Sequence, residues 1–267
     1  MTNRANTKRF GGISRLYGEE AFGIISSLHV CVVGIGGVGS WAVESLARSG
    51  VEKITIIDFD TLCETNINRQ IHALQSTLDK KKISVIAERV RDINPNCLCT
   101  LVDDFLTNKN IRDYLSPEKG FDYVIDAIDS ISYKAALIHQ CKRNKIPVIT
   151  TGGAGGLNDP TQIAIKDLSR TWNDPLASKV RAKLRESHSF SRDIKRYFGV
   201  ECVFSTQQQV YPKDDGSVSQ KKPGIHGINL DCNLGYGAAS FVTGTFGLVA
   251  ASRVINKVVK KRLRKSS

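Results

Sequence analysis

A glycine-dense hexapeptide constrains this chain more than any other feature. GIGGVG at 34–39 sits between an apolar, strand-like run at 30–33 and a helical run at 40–48, and a second apolar run, 53–57, ends on Asp58. Gly34, Gly36, Gly37 and Gly39 remove side chains where a strand turns sharply into a helix, so backbone N–H groups and the helix N-terminus can face a phosphate. Asp58, closing the next strand, is placed to accept hydrogen bonds from a ribose. Strand, glycine turn, helix, strand and acid together predict a nucleotide site. A glycine turn by itself is more simply structural, and up to this point NAD and ATP fit alike.

The alternation continues downstream. Ile83, Ile86, Val90 and Ile93 recur at helical spacing before Asn94-Pro95 stops the helix. Strands are expected at 97–102, 121–127 and 146–150, with a helix at 131–142, and the last strand leads into a glycine-rich loop at 152–156. Strands alternating with helices predict an α/β fold, a Rossmann-like, mostly parallel sheet with helices on both faces. Beyond about residue 165 the alternation weakens. A basic stretch at 179–196, a strand at 203–211, a loop at 212–227 and a closing helix ending in KKRLRK follow.

A formal net charge of +12 predicts a positive field that attracts polyanions such as nucleic acid, although basic segments also serve as plain solvated surface. Seven cysteines include no CxxC pair, and their odd number argues against a disulfide framework and for a reducing, cytoplasmic setting. The polar N-terminal segment carries no secretory pattern. The uncharged run at 232–252 is long enough to cross a bilayer, but its four glycines and its hydroxyl residues suit close packing inside a protein better, so membrane association is the lesser alternative.

The residues after Asp58 separate the two nucleotides. Asp60, Asn66 and Arg69 put an acid, an amide and a guanidinium just past the ribose acid, where a triphosphate needs polar cover and a dinucleotide does not. Lys82, on the following helix, adds a second cation. Asp129, in DAIDS, falls at the carboxyl end of a strand, the ligand-facing edge of an open sheet. Lys82 and Arg15 have a plain alternative as solvated charges, and Asp129 as a helix cap.

This set resembles the E1-like superfamily, whose members adenylate carboxylates. The similarity is greater still to its tRNA threonylcarbamoyladenosine dehydratase branch, through RFGGISRLYG at 9–18, NRQIHAL at 68–74, VIDAIDS at 124–130, KAALI at 134–138, RNKIPVITTGGAGG at 143–156, DPTQI at 159–163 and CVFS at 202–205. The resemblance spans nearly the whole chain and implies an E1-like ATP-binding adenylation domain at 1–165. Residues 166–267 would continue the same fold, with a basic insertion and a C-terminal helix. It further implies that Gly36 and Gly37 line phosphate, Asp58 holds ribose, and Asn66, Arg69 and Lys82 contact the triphosphate. Asp129 would coordinate Mg²⁺, and Arg15 would reach the γ-phosphate of a neighbouring subunit in a homodimer. The cofactors implied are ATP and Mg²⁺, with a monovalent cation near the 152–156 loop an open option. The paired CxxC motifs that hold structural zinc in sulfur-carrier activators are absent, so no zinc is expected.

The implied reaction is ATP-dependent dehydration of a threonylcarbamoyl group on a tRNA adenosine through carboxylate adenylation. Activation of a sulfur-carrier protein's C-terminus is the alternative. Cys232, in LDCNLGYG, matches a cysteine of related dehydratases, which leaves open both a catalytic role with a sulfur-relay partner and a buried free thiol. The basic segments 179–196 and 253–265 are the expected tRNA contacts, with Tyr197 and Phe198 as candidates to stack on an unpaired base.

Overall fold

The computed structural model describes residues 4–213, 215–221 and 237–266, so Cys232 lies outside the described residues. Seven strands form one sheet: β1 (His29–Val33), β2 (Lys53–Ile57), β3 (Leu98–Val102), β4 (Tyr123–Asp126), β5 (Val148–Thr151), β6 (Ile163–Asp167) and β7 (Glu201–Ser205). Their spatial order is β3-β2-β1-β4-β5-β7-β6, parallel throughout except for β6, which runs antiparallel to β7 at the edge.

Period-2 alternation explains how these strands serve two cores. Val30, Val32, Ile54, Ile56 and Ile125 face one layer, built from α2 (Glu19–Ser26), α3 (Gly39–Arg48), α4 (Lys82–Ile93) and α8 (Ser240–Ser266). Cys31, Val33, Ile57, Val124 and Cys202 face the other, built from α6 (Ile131–Arg143) and α7 (Pro175–Ser187). Cys202 is fully buried there, where burial pushes its thiol well up and leaves it no nucleophilic character.

One expectation needs correction. The strand expected at 203–211 ends at Ser205, and Tyr211–Pro212 instead pairs with Val218–Ser219 in a separate two-stranded ribbon. The intervening turn is tied to its surroundings, for example by Asn173 Nδ2 donating to Thr206 O at 2.9 Å. Of the basic stretch, residues 179–187 lie on α7, which starts at Pro175 where Asp174 caps its N-terminus through Ala177 N–H and Pro175 occupies its first turn.

The glycine-bearing run before Arg253 is used for packing. A Cβ on Gly247 would come within 2.4 Å of Val38 O and 2.8 Å of Trp41 Cβ, so only glycine lets α8 lie this close to α3. Among the described residues no helix is long and apolar enough to cross a membrane.

Candidate active site

In this strand order the chain leaves β1 toward β2 and β3, then returns to place β4 on β1's other side. The crevice beyond the carboxyl ends of β1 and β4 is therefore the topological switch point. The glycine turn follows β1 and Asp129 follows β4, so both reach this crevice.

Within the turn the glycines have different duties. Gly34 adopts φ +87°, and a Cβ there would lie 3.0 Å from the carbonyl of Ala127. A Cβ on Gly39 would fall 1.8 Å from Gly34 O, which no side chain tolerates. Gly36 has nothing within 4 Å of its Cβ position and, like Gly34 and Gly37, is partly accessible. Gly37 is flanked by Thr243 Cγ2 and by the methylenes of Arg69.

Asp58 ties the turn to the cationic side of the crevice. Its Oδ2 accepts from Ile35 N–H at 2.6 Å and its Oδ1 from Asp60 N–H at 2.9 Å. Asp60 Oδ2 in turn accepts from Lys82 Nζ at 2.7 Å. The lysine stem is 7% exposed at the start of α4 while Asp60 is 45% exposed, so the ammonium is held at the mouth by a solvent-facing partner. Arg69 is anchored through its backbone: its carbonyl accepts from Trp41 Nε1 at 3.0 Å and Thr243 Oγ1 at 3.1 Å. Its guanidinium donates to Thr65 O and Asn68 Oδ1. Asn66 is buried, its Oδ1 accepting from Cys63 N–H at 3.2 Å. Asp129 is exposed between β4 and α6, and Ser130 rather than Asp129 occupies the N-cap position of that helix.

Beneath this surface lies a buried ion pair that sequence reasoning missed. Lys134 Nζ is 2.9 Å from Asp126 Oδ2, which also accepts from Thr150 Oγ1 at 2.6 Å, with both charged side chains essentially inaccessible. Burial pushes the Asp126 carboxyl up, against the opposing pull of Lys134. A second overlooked group is His72, 1% exposed, whose two ring nitrogens have no partner among the described residues. Burial, then Lys82 and Arg89, push its imidazole down to about 3. The signals were present in VIDAIDS, KAALI and NRQIHAL, but a helix lysine reads as surface and a lone histidine among apolar residues reads as core.

The remaining candidates do not join the crevice. Arg15 stands on α1 (Arg4–Tyr17), which is anchored at the opposite edge of the sheet by Arg9 Nη1 donating to Ile93 O and by Phe10 packing near Gly50. Phe198 is corrected as a base-stacking platform, because it is 6% exposed and packs on Phe190. Tyr197 is exposed, but it lies just before β7, at that same opposite edge, with the Arg170 guanidinium over its ring. The basic end of α8 is there as well, since Arg253 and Lys257 pair with Glu201, and Arg262 with Asp122.

The chain matches the ThiF family over residues 12–267. It is 53% identical over 258 residues to the tRNA threonylcarbamoyladenosine dehydratase of Escherichia coli K12, with 96% of each chain covered. Its fold superposes on the crystal structure of the E. coli tRNA N6-threonylcarbamoyladenosine dehydratase in complex with ATP at a TM-score of 0.88, with 49% identity and 99% of each chain covered. Similarity to the molybdopterin-synthase adenylyltransferase of Haemophilus influenzae is weaker: 28% identity, covering 57% of this chain and 64% of that one.

Proposed function

The chain belongs to the ThiF family and, within it, to the tRNA threonylcarbamoyladenosine dehydratases, and from that premise we propose that it uses ATP to dehydrate the threonylcarbamoyl group of a tRNA adenosine into a ring. A carboxylate is a poor acyl donor because its leaving group would be oxide. Its oxygen attacks the α-phosphorus of ATP, the bond from that phosphorus to the bridging oxygen breaks, and pyrophosphate departs. The acyl adenylate is then attacked by the substrate's own carbamoyl group, and AMP leaves with the oxygen that accounts for the lost water. An intramolecular nucleophile has an effective molarity of about 10⁵ M or more, so the protein need supply no covalent one. Neither Cys232 nor a sulfur-relay partner has a step in this scheme.

The observation that carries this assignment is the partly accessible glycine turn at Gly36, joined through Asp58 and Asp60 to the ammonium of Lys82. Backbone N–H groups of Gly36 and Gly37 would hold phosphate, Asp58 would hold ribose, and Lys82 and Arg69 would offset charge on the departing pyrophosphate. With its Oδ1 held by Cys63, Asn66 would offer its amide nitrogen to the phosphates. Asp129 suits Mg²⁺ in one respect: that ion is commonly held by one or two carboxylates together with substrate phosphates. When bound, Mg²⁺ would supply further charge compensation on the phosphates. Among the described residues no cluster of three acidic, histidine or cysteine side chains could hold a metal, so Asp129 fits an ion that arrives with the nucleotide.

Arg15 would complete a neighbouring subunit's site in a homodimer, which accounts for its place outside the crevice of its own chain. The tRNA would draw on the basic residues of α7 and α8, and the enzyme would meet this substrate in the cytoplasm. The deciding experiment incubates the protein with ATP, Mg²⁺ and threonylcarbamoylated tRNA and weighs the released nucleosides. The expected product is lighter by one water only when ATP is present; an unchanged mass refutes the assignment. Mixing inactive Arg15→Ala and Lys82→Met proteins is expected to restore part of the activity if the sites are shared between subunits.

A further inference from the structure

The segment that carries Arg69 has little regular structure of its own. Between the end of β2 at Ile57 and the start of α4 at Lys82 its helical elements are two three-residue 3₁₀ turns, Glu64–Asn66 and Gln75–Thr77. The Arg69 guanidinium donates to Thr65 O and Asn68 Oδ1, which belong to the same segment, so these bonds move with it and fix nothing relative to the glycine turn. Arg69 is tied to the rest of the molecule through its carbonyl oxygen, while the methylenes of its stem pass the flank of Gly37.

Two helices meet at that oxygen. Trp41 Nε1, on α3, donates to it at 3.0 Å, and Thr243 Oγ1, on α8, at 3.1 Å, the shortest of the threonine's contacts to carbonyls. Both donors are themselves held. A Cβ on Gly244 would lie 3.3 Å from Trp41 Cδ2, so the indole rests on α8 at a position where only glycine leaves it room. Thr243 is buried, and its Cγ2 lies 3.3 Å from the Cβ position of Gly37. Trp41 is the third residue of α3, the helix that begins with the last glycine of the turn. The clamp therefore fixes the Arg69 backbone to the same rigid unit that presents the turn. A long side chain on irregular backbone reaches a given point only if its Cα is held, and holding it in advance removes that ordering cost from the reaction.

We infer that Trp41 and Thr243 are positioning residues for the reaction, acting through the Arg69 carbonyl to hold its guanidinium beside the glycine turn. This rests on the proposed dehydratase function, in which Arg69 offsets charge on the departing pyrophosphate. That charge grows only as the bond to the α-phosphorus breaks, so loosening the clamp lowers kcat more than it lowers affinity for ATP.

Trp41→Phe and Thr243→Val each delete one donor and leave an apolar group in its place. Each is made in the full chain alone and again together with Arg69→Ala, and all are compared for kcat with modified tRNA, for ATP affinity and for denaturant midpoint. With Arg69 present, kcat is expected to fall about tenfold while ATP affinity stays within about threefold. With Arg69→Ala the carbonyl is still there and the guanidinium is gone, so the midpoint shift should persist while the further loss in kcat stays within about twofold. An active wild type in which the two variants lose kcat by the same factor in both backgrounds, or lose none with Arg69 present, overturns the positioning role and leaves the dehydratase function standing. An Arg69→Ala chain as active as wild type does the same. Thr243→Val, which exchanges a hydroxyl for a methyl, decides the question alone if Trp41→Phe does not fold. A wild type that does not dehydrate modified tRNA removes both.

Discussion

The two edges of the sheet divide the work unequally. At the carboxyl edge the chemistry-bearing groups are few and tightly fixed: a glycine turn with no room for side chains, Asp58 accepting two backbone N–H groups, and Lys82 on Asp60. At the amino edge charge is plentiful and only partly matched. Glu201 takes Arg253 and Lys257, and Asp122 takes Arg262, but Lys260, Lys261, Arg264 and Lys265 have no carboxylate partner among the described residues. Helix α8, 27 residues and so about 40 Å long, joins the two edges, with Thr243 at the glycine turn and the lysines at the far end. A cluster of unmatched positive charge therefore lies on a surface remote from the nucleotide crevice. A bulk positive charge and a catalytic cation are different devices, and here they are physically separated.

The largest expected effect is at the carboxyl edge. Lys134→Met leaves Asp126 buried without its counter-ion and should cost about 3–5 kcal/mol of stability, read from denaturant midpoints. Because the unpaired carboxyl can be relieved by protonation, the deficit should shrink as pH falls; a deficit independent of pH contradicts the ion-pair account.

Lys82→Met should lower kcat by about 10²–10³-fold with the fold intact, measured as AMP release, and an activity near wild type would show that Lys82 does no more than hold Asp60. His72 tests the same edge through pH. Its native value of about 3 lies below the unfolded one near 6.5, so the unfolded chain binds the extra proton. Its contribution is thus fully present above about pH 6.5 and is lost as pH falls toward about 3. Between pH 7 and pH 5 the loss should be about 2 kcal/mol in the native chain and absent in His72→Phe, each protein being compared with itself.

The amino edge should respond differently. Combined Lys260→Glu, Lys261→Glu and Lys265→Glu is expected to weaken tRNA binding by about tenfold at low salt and flatten its salt dependence, with ATP binding unmoved. Equal loss of ATP binding would show that the two edges are not independent. The smallest effect belongs to Tyr197→Ala, expected to shift stability by no more than about 0.5 kcal/mol and to leave turnover near wild type, since this ring stands far from the crevice.

Much of the carboxyl edge is legible in the sequence because its signals are local. Hydrophobic period, glycine punctuation and a strand-ending acid place β1, α3, β2 and Asp58 within a residue or two. β6 is not legible, because it has meaning only against β7, to which it runs antiparallel across an intervening helix. The Asp126–Lys134 pair is hidden for a related reason: each residue is ordinary in its own element, and only the packing of α6 on β4 removes water from both. Phe198 shows the reverse error. Adjacency to basic residues suggests a nucleic-acid platform, yet Asp167 holds the backbone of residues 198–200 and turns Phe198 into the core.

The contact between α8 and the glycine turn also has a consequence for how the site comes into being during synthesis. GIGGVG, Asp58, Arg69 and Lys82 are all made early, yet the carbonyl of Arg69 and the flank of Gly37 acquire their Thr243 partner only when residues beyond 240 are available. A nascent chain still lacking that helix has the nucleotide motif but not its supporting wall. Nucleotide binding should therefore mature late, linking competence for ATP to the arrival of α8.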